Sequence, residues 1–223
     1  MRGSSASRRT TAVAIAAAAV VGILLGLGVH TIVSGGSAEV RPTTEVRGQA
    51  VWPEGLRPAP GFALPDSEGH QFSLASLRGR TAILTFMDSR CHQECPLEGR
   101  TIAAGLRRLP RSEQPMVIAV SVDPWEDTPA SARRAIGRFG LAGFRWRWLL
   151  GSKAQLEDIW RKYRIEVRRT PGDIEHTDAL YLIDANGYER AGMVYPFLPT
   201  WVSTDLKTLA GEAAQPLSDL KGP

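Results

Sequence analysis

Three short apolar runs constrain this chain more than any other feature: 81–87 (TAILTFM), 116–122 (MVIAVSV) and 179–184 (ALYLID). A strand with one wet face alternates apolar and polar side chains. A strand that is apolar at nearly every position is buried on both faces. Three such strands therefore require cover on both sides of a sheet, and the stretches between them have helical spacing. Residues 97–109 place Ile102, Ala103, Leu106 and Leu109 on one helical face, and Pro110 stops that helix. A second helix runs from Thr128 through Phe139, with the Thr128 hydroxyl as N-cap and Pro129 in its first turn. A third, 152–163, starts at Ser152.

Smaller elements complete the order. Phe62–Leu64 is a short strand, 67–70 a turn and Gln71–Leu74 its return. Residues 144–148 (FRWRW) alternate as a half-buried strand does. Asn186-Gly187 is a hairpin turn leading to a strand at 192–195, and 200–210 is a closing helix. Strand–helix–strand–helix followed by a hairpin and a last helix is the thioredoxin-like order. The class is α/β with a mixed central sheet.

With 43% hydrophobic and 22% charged residues, collagen-like, coiled-coil and wholly disordered classes are excluded. The net charge of +4 is largely local. Arg2, Arg8 and Arg9 supply three of the 27 basic residues, leaving 24 against 23 acids. Nothing in that balance points to nucleic acid, and none is expected as a partner.

Those arginines form a basic segment, 1–11, ahead of an uncharged apolar run, AVAIAAAAVVGILLGLGV at 12–29. A helix of about 20 residues at ~1.5 Å per residue crosses a bilayer core. Residues 12–33 read as a single-pass transmembrane anchor with the N-terminus cytoplasmic and the main domain extracytoplasmic. A cleaved signal peptide is the rival reading, with Gly36-Ser37-Ala38 as a small-residue cleavage site. Residues 34–59, rich in Gly, Ser, Pro, Thr and charge, read as a flexible tether to a domain at 60–210, and 211–223 as a flexible tail.

The chain has two cysteines, Cys91 and Cys95, in C-x-x-x-C-P where a buried strand gives way to a helix. Free N–H groups and the helix dipole favour thiolate there, and if both cysteines lie in the first turn a spacing of four puts their sulfurs on one face. They can hold one metal ion or close a disulfide. Two thiolates are a soft but incomplete site that copper suits, and imidazole is the natural third donor. Of the four histidines, His30 lies in the anchor, His70 in a turn, and His92 points away between the cysteines. His176, in a loop ahead of the third buried strand, is the one placed to reach both sulfurs.

Residues from about Pro60 to Leu209 resemble the Sco/SenC/PrrC family of membrane-anchored copper proteins with a thioredoxin fold. Three segments carry the resemblance: CHQECP at 91–96, SVDPWEDTP at 121–129 and HTDALYLID at 176–184. It implies copper as Cu(I), Cu(II) or both, bound by Cys91, Cys95 and His176. It places Asp123 and Asp127 in a loop near that site. It also implies a metallochaperone that helps assemble the copper centre of cytochrome c oxidase, with the oxidase's copper-binding subunit or another copper protein as partner. The expected location is the cell membrane, or the mitochondrial inner membrane in a eukaryote. Phe86-Met87-Asp88-Ser89-Arg90-Cys91 departs from the Phe-Thr-x-Cys approach of many members, and Arg90 brings a charge beside the first cysteine. The alternative is an enzyme: a thiol-disulfide reductase in which Cys91 and Cys95 reduce the cysteines of a copper-receiving protein.

Overall fold

A computed structural model of the chain describes residues 46–213. The basic segment 1–11, the anchor 12–33, the first part of the tether and most of the tail lie outside the described residues. Among the described residues no helix is long and apolar enough to cross a membrane.

In chain order the elements are β1 (Ala50–Val51), β2 (Ala63–Pro65), β3 (Gln71–Ser73), β4 (Ala82–Met87), α1 (Glu94–Leu106), β5 (Met116–Ser121), α2 (Pro129–Arg138), β6 (Trp146–Leu149), α3 (Lys153–Tyr163), β7 (Val167–Thr170), β8 (Asp173–His176), β9 (Ala179–Ile183), β10 (Glu189–Val194) and α4 (Pro199–Ala213). The main sheet has six strands in the order β1-β10-β9-β4-β5-β6. β4, β5 and β6 are parallel, whereas β9 runs antiparallel to β4, and β10 and β1 continue antiparallel. This mixed sheet is the thioredoxin-like arrangement.

The all-apolar runs are central because they are covered twice. On β4, Ile83 and Met87 face one core with Ile102 and Leu106 of α1, Ala135 of α2 and Val202 and Leu206 of α4. Leu84 and Phe86 face the other core with Leu156, Trp160 and Tyr163 of α3 and Leu64 and Phe72 of the β2–β3 hairpin. All six residues of β4 are buried. Ser152 and Thr128 cap their helices through complete capping boxes.

Composition misplaces the end of the tether. Residues 46–59 pack on the domain, with β1 as the edge strand of the sheet. Trp52 N–H donates to the Arg190 carbonyl at 3.0 Å, and its ring stacks on Tyr181. Arg57 lies over Trp52 and pairs with buried Glu189. Two residues of strand are too few to show a period against the polar composition around them. At the other end, α4 runs on to Ala213, through the first residues assigned to the tail.

Candidate metal centre

The cysteines lie where β4 ends. Asp88 closes a tight turn, its Oδ1 accepting the Arg90 N–H at 2.7 Å. α1 then starts at Glu94, three residues earlier than its apolar spacing suggests, because polar Glu94 and Pro96 occupy its first turn. Cys95 is thus inside the helix and fully buried, while Cys91 precedes the helix and is partly exposed. Gln93 at the N-cap gives no side-chain cap. The Cys91 sulfur takes that place, accepting the Cys95 backbone N–H at 3.4 Å.

This geometry separates two chemically identical thiols. Cys91 is lowered to about 7, first by the hydrogen bond from the Cys95 thiol and then by the backbone N–H groups of Cys95 and Gln93, against the opposing effect of burial. Cys95 is pushed well above the ordinary thiol range by donating that bond and by burial. Both cysteines are free.

His176 arrives from the other side. It is the last residue of β8, not part of a loop, and pairs with Val167 in a two-stranded β7–β8 ribbon turned by Pro171-Gly172. Gly172 needs its positive φ of 85° for that turn. The His176 side chain is only 4% exposed. Its Nδ1 lies 3.2 Å from the Thr177 carbonyl, which can only accept, so in the neutral ring Nδ1 carries the proton and Nε2 keeps the lone pair. Nε2 is 3.6 Å from Cys95 Sγ and 3.4 Å from Asp178 Oδ1. Cys95, His176 and Asp178 each offer a ligand atom within 4.8 Å of the others. Cys91 stands outside that tight set, joined to it through its hydrogen bond with Cys95. The structure thus brings two of the expected donors, Cys95 and His176, together with Asp178, which sequence reasoning missed, while Cys91 is joined only to Cys95. The position of Asp178 two residues past His176 was the available signal.

An open groove of about 1020 Å³ leads to these groups, bounded by the cysteine turn and the β7–β8 ribbon. Asp123 and Asp127 lie close by, as expected, and they organise loops. Asp123 Oδ1 accepts the N–H groups of Trp125 and Glu126 at 3.1 Å each. Asp127 accepts the Ser89 N–H at 3.1 Å and the Ser121 hydroxyl at 2.6 Å, tying the ends of β4 and β5 together. Asp127 is raised to about 6 by burial, against those two hydrogen bonds. Arg90 pairs with Glu126, so its charge is balanced outside the sulfur pair. Glu126 in turn meets Arg169 of the ribbon at 3.6 Å, and Arg169 covers the Trp125 ring. Met87 and Trp148 are fully buried core residues.

Soft sulfur and imidazole beside an accessible groove suit a copper ion, and a thiolate next to a buried thiol also suits disulfide exchange. Comparison with known proteins narrows the context. Over 138 residues the chain is 30% identical to the mitochondrial protein SCO2 of Saccharomyces cerevisiae, covering 56% of this chain and 44% of that one, less than half the relative's length. The copper-bound structure of Bradyrhizobium japonicum ScoI is 27% identical, with a TM-score of 0.60, covering 68% of this chain and 98% of that one. BsSco, a member of the Sco family of cytochrome c oxidase assembly proteins with a disulfide switch, shares the fold at 21% identity and a TM-score of 0.59, over 70% of this chain and 94% of that one. The family model for SCO1/SenC matches residues 54–210, which is most of the chain, and the chain belongs to the SCO1/SenC family.

Proposed function

We propose that this chain is an exported, membrane-tethered copper carrier. It binds copper through Cys91, Cys95 and His176 and passes the metal to the copper-binding subunit of cytochrome c oxidase. The observation that carries this reading is the 3.6 Å approach of His176 Nε2 to Cys95 Sγ, with the Cys91 sulfur alongside. Copper in ScoI of B. japonicum and the role of BsSco in oxidase assembly support the metal and the destination. The apolar run at 12–29 behind a basic N-terminus supports the tether. Binding displaces thiol protons, so copper affinity falls as pH falls.

The test is a copper titration of the reduced full chain in detergent micelles, beside His176→Ala. Loss of a direct ligand is expected to weaken affinity by roughly 100-fold, at the upper end of what outer-shell changes cost. The nitrogen coupling in the Cu(II) paramagnetic resonance spectrum should disappear as well. Equal affinity and identical spectra in the two proteins would remove His176 from the site.

The unequal thiols favour a second activity on the same residues. Cys91 as thiolate attacks a disulfide in a copper-receiving protein and forms a mixed disulfide, releasing one partner thiolate. Cys95 then gives up its proton and displaces the second partner sulfur. The partner leaves as a dithiol, and Cys91–Cys95 is left oxidised by two electrons. Cys95→Ser stops this at the mixed disulfide. Capture of the oxidised oxidase subunit by that variant supports the reductase, and no adduct with it counts against the reductase.

A further inference from the structure

Glu98 is fully buried on α1, three positions after Cys95 and on the same face. Its Oε1 lies 2.5 Å from the Thr85 hydroxyl of β4, and that hydroxyl lies 3.2 Å from the Ala179 carbonyl at the start of β9. A threonine hydroxyl has one proton. A carbonyl and a carboxylate have none to donate. Two simultaneous hydrogen bonds among these three oxygens need two protons, and only a protonated Glu98 has the second to give. A neutral acid would donate to Thr85 and leave the threonine proton for Ala179. The surroundings agree. Glu98 Oε2 is buried without a partner, which a neutral carboxyl tolerates far better than a carboxylate. Burial raises Glu98 to about 8, and the negative charges of Asp178 and Cys91 push the same way.

The relay joins the two halves of the metal centre. Cys95 is one turn away from Glu98 on α1, and His176 precedes Ala179 by three residues. We propose that protonated Glu98 is a positioning residue that holds Cys95 against His176, with Thr85 as the middle link. The proton has a second effect: it keeps negative charge away from two sulfurs that must both ionise to hold copper. An ionised Glu98 drives Cys95 further from thiolate. The inference deepens the copper reading above and rests on it.

Four full-length proteins in micelles test it: the natural chain, Glu98→Gln, Glu98→Met and Thr85→Val. The glutamine amide donates to Thr85 as the acid does, whereas methionine fills the space without a donor. In the metal-free natural protein at neutral pH, infrared spectroscopy should show a protonated-carboxyl band that Glu98→Gln removes. No such band would overturn the proposal. In copper titrations Glu98→Gln should keep the affinity and the sulfur-to-copper absorption. Glu98→Met and Thr85→Val should each lose roughly five- to tenfold, the scale of one buried hydrogen bond, with shifted absorption. The His176 ring resonances of the metal-free proteins should follow the same pattern: unmoved by glutamine, displaced by methionine and valine. Methionine behaving as glutamine does in affinity, absorption and ring resonances would reduce Glu98 to volume and overturn the proposal. A natural chain that binds no copper defeats the copper reading instead, and the infrared band and ring resonances still decide the relay.

Discussion

Cys91 and Cys95 share a helix start and differ in exposure, and the difference assigns their roles. Alkylation of the reduced, metal-free protein should therefore occur at Cys91 alone, with a rate that rises through a midpoint of about 7. Mass-spectrometric mapping across pH checks this, and a midpoint at the ordinary thiol value of 9 would show that the helix start does not hold the thiolate. At this scale the sequence was informative about the two cysteines and the histidine and poor about the acids around them. Cysteine spacing and a histidine before a buried strand are recognisable patterns. Glu98 and Asp178 are acids on a helix and after a ribbon, where acids normally face water. Only the packing of α1 on β4 turns Glu98 inward.

The close approach of α1 to the end of α2 depends on Gly99. A Cβ on Gly99 would meet Phe139 Cβ and the Phe139 carbonyl oxygen at 2.6 Å each, and the carbonyl belongs to the main chain and cannot swing aside. Gly99→Ala should destabilise the fold by about 1–3 kcal/mol, as overpacking does, despite the ~1 kcal/mol that alanine gains over glycine inside a helix. Denaturant unfolding measures it, and a more stable variant would mean that the two helices separate at little cost. Elements buried on two faces were legible for the same reason that they are central: every residue reports the core. The β7–β8 ribbon was not. Its strands, VRRT and DIEH, carry charges on an element that is mostly wet and show no apolar period. The Pro171-Gly172 turn between them was the available signal. That ribbon delivers His176, so the least legible element carries the imidazole of the candidate site.

Across the whole molecule several carboxyls hold their protons longer than they would in an unfolded chain. Burial is the leading cause at Asp127 and Asp205, both raised to about 6, and at Glu98, raised to about 8. Their stabilising contribution is complete below the ordinary values of 3.8 and 4.5 and is lost as pH rises through the folded values. Within that window the unfolded chain has released protons that the native state still binds, so raising pH favours unfolding. The Tm of the reduced, metal-free protein should fall from pH 5 to pH 7. Glu98 alone contributes a slope of up to about 1.4 kcal/mol per pH unit. Glu98→Gln should flatten the decline, and a Tm that climbs over this range would contradict the burial of these groups.

The pairing of β4 with β9 has a further consequence. Thr85 stands opposite Leu180 in that ladder, the cysteine turn leaves the end of β4, and His176 comes just ahead of β9. Neighbouring strands lie about 4.8 Å apart in every sheet. The roots of the cysteine turn and of the segment that follows His176 are therefore held one strand spacing apart, while the turn, the start of α1 and the β7–β8 ribbon beyond them are left to adjust the approach of sulfur to imidazole.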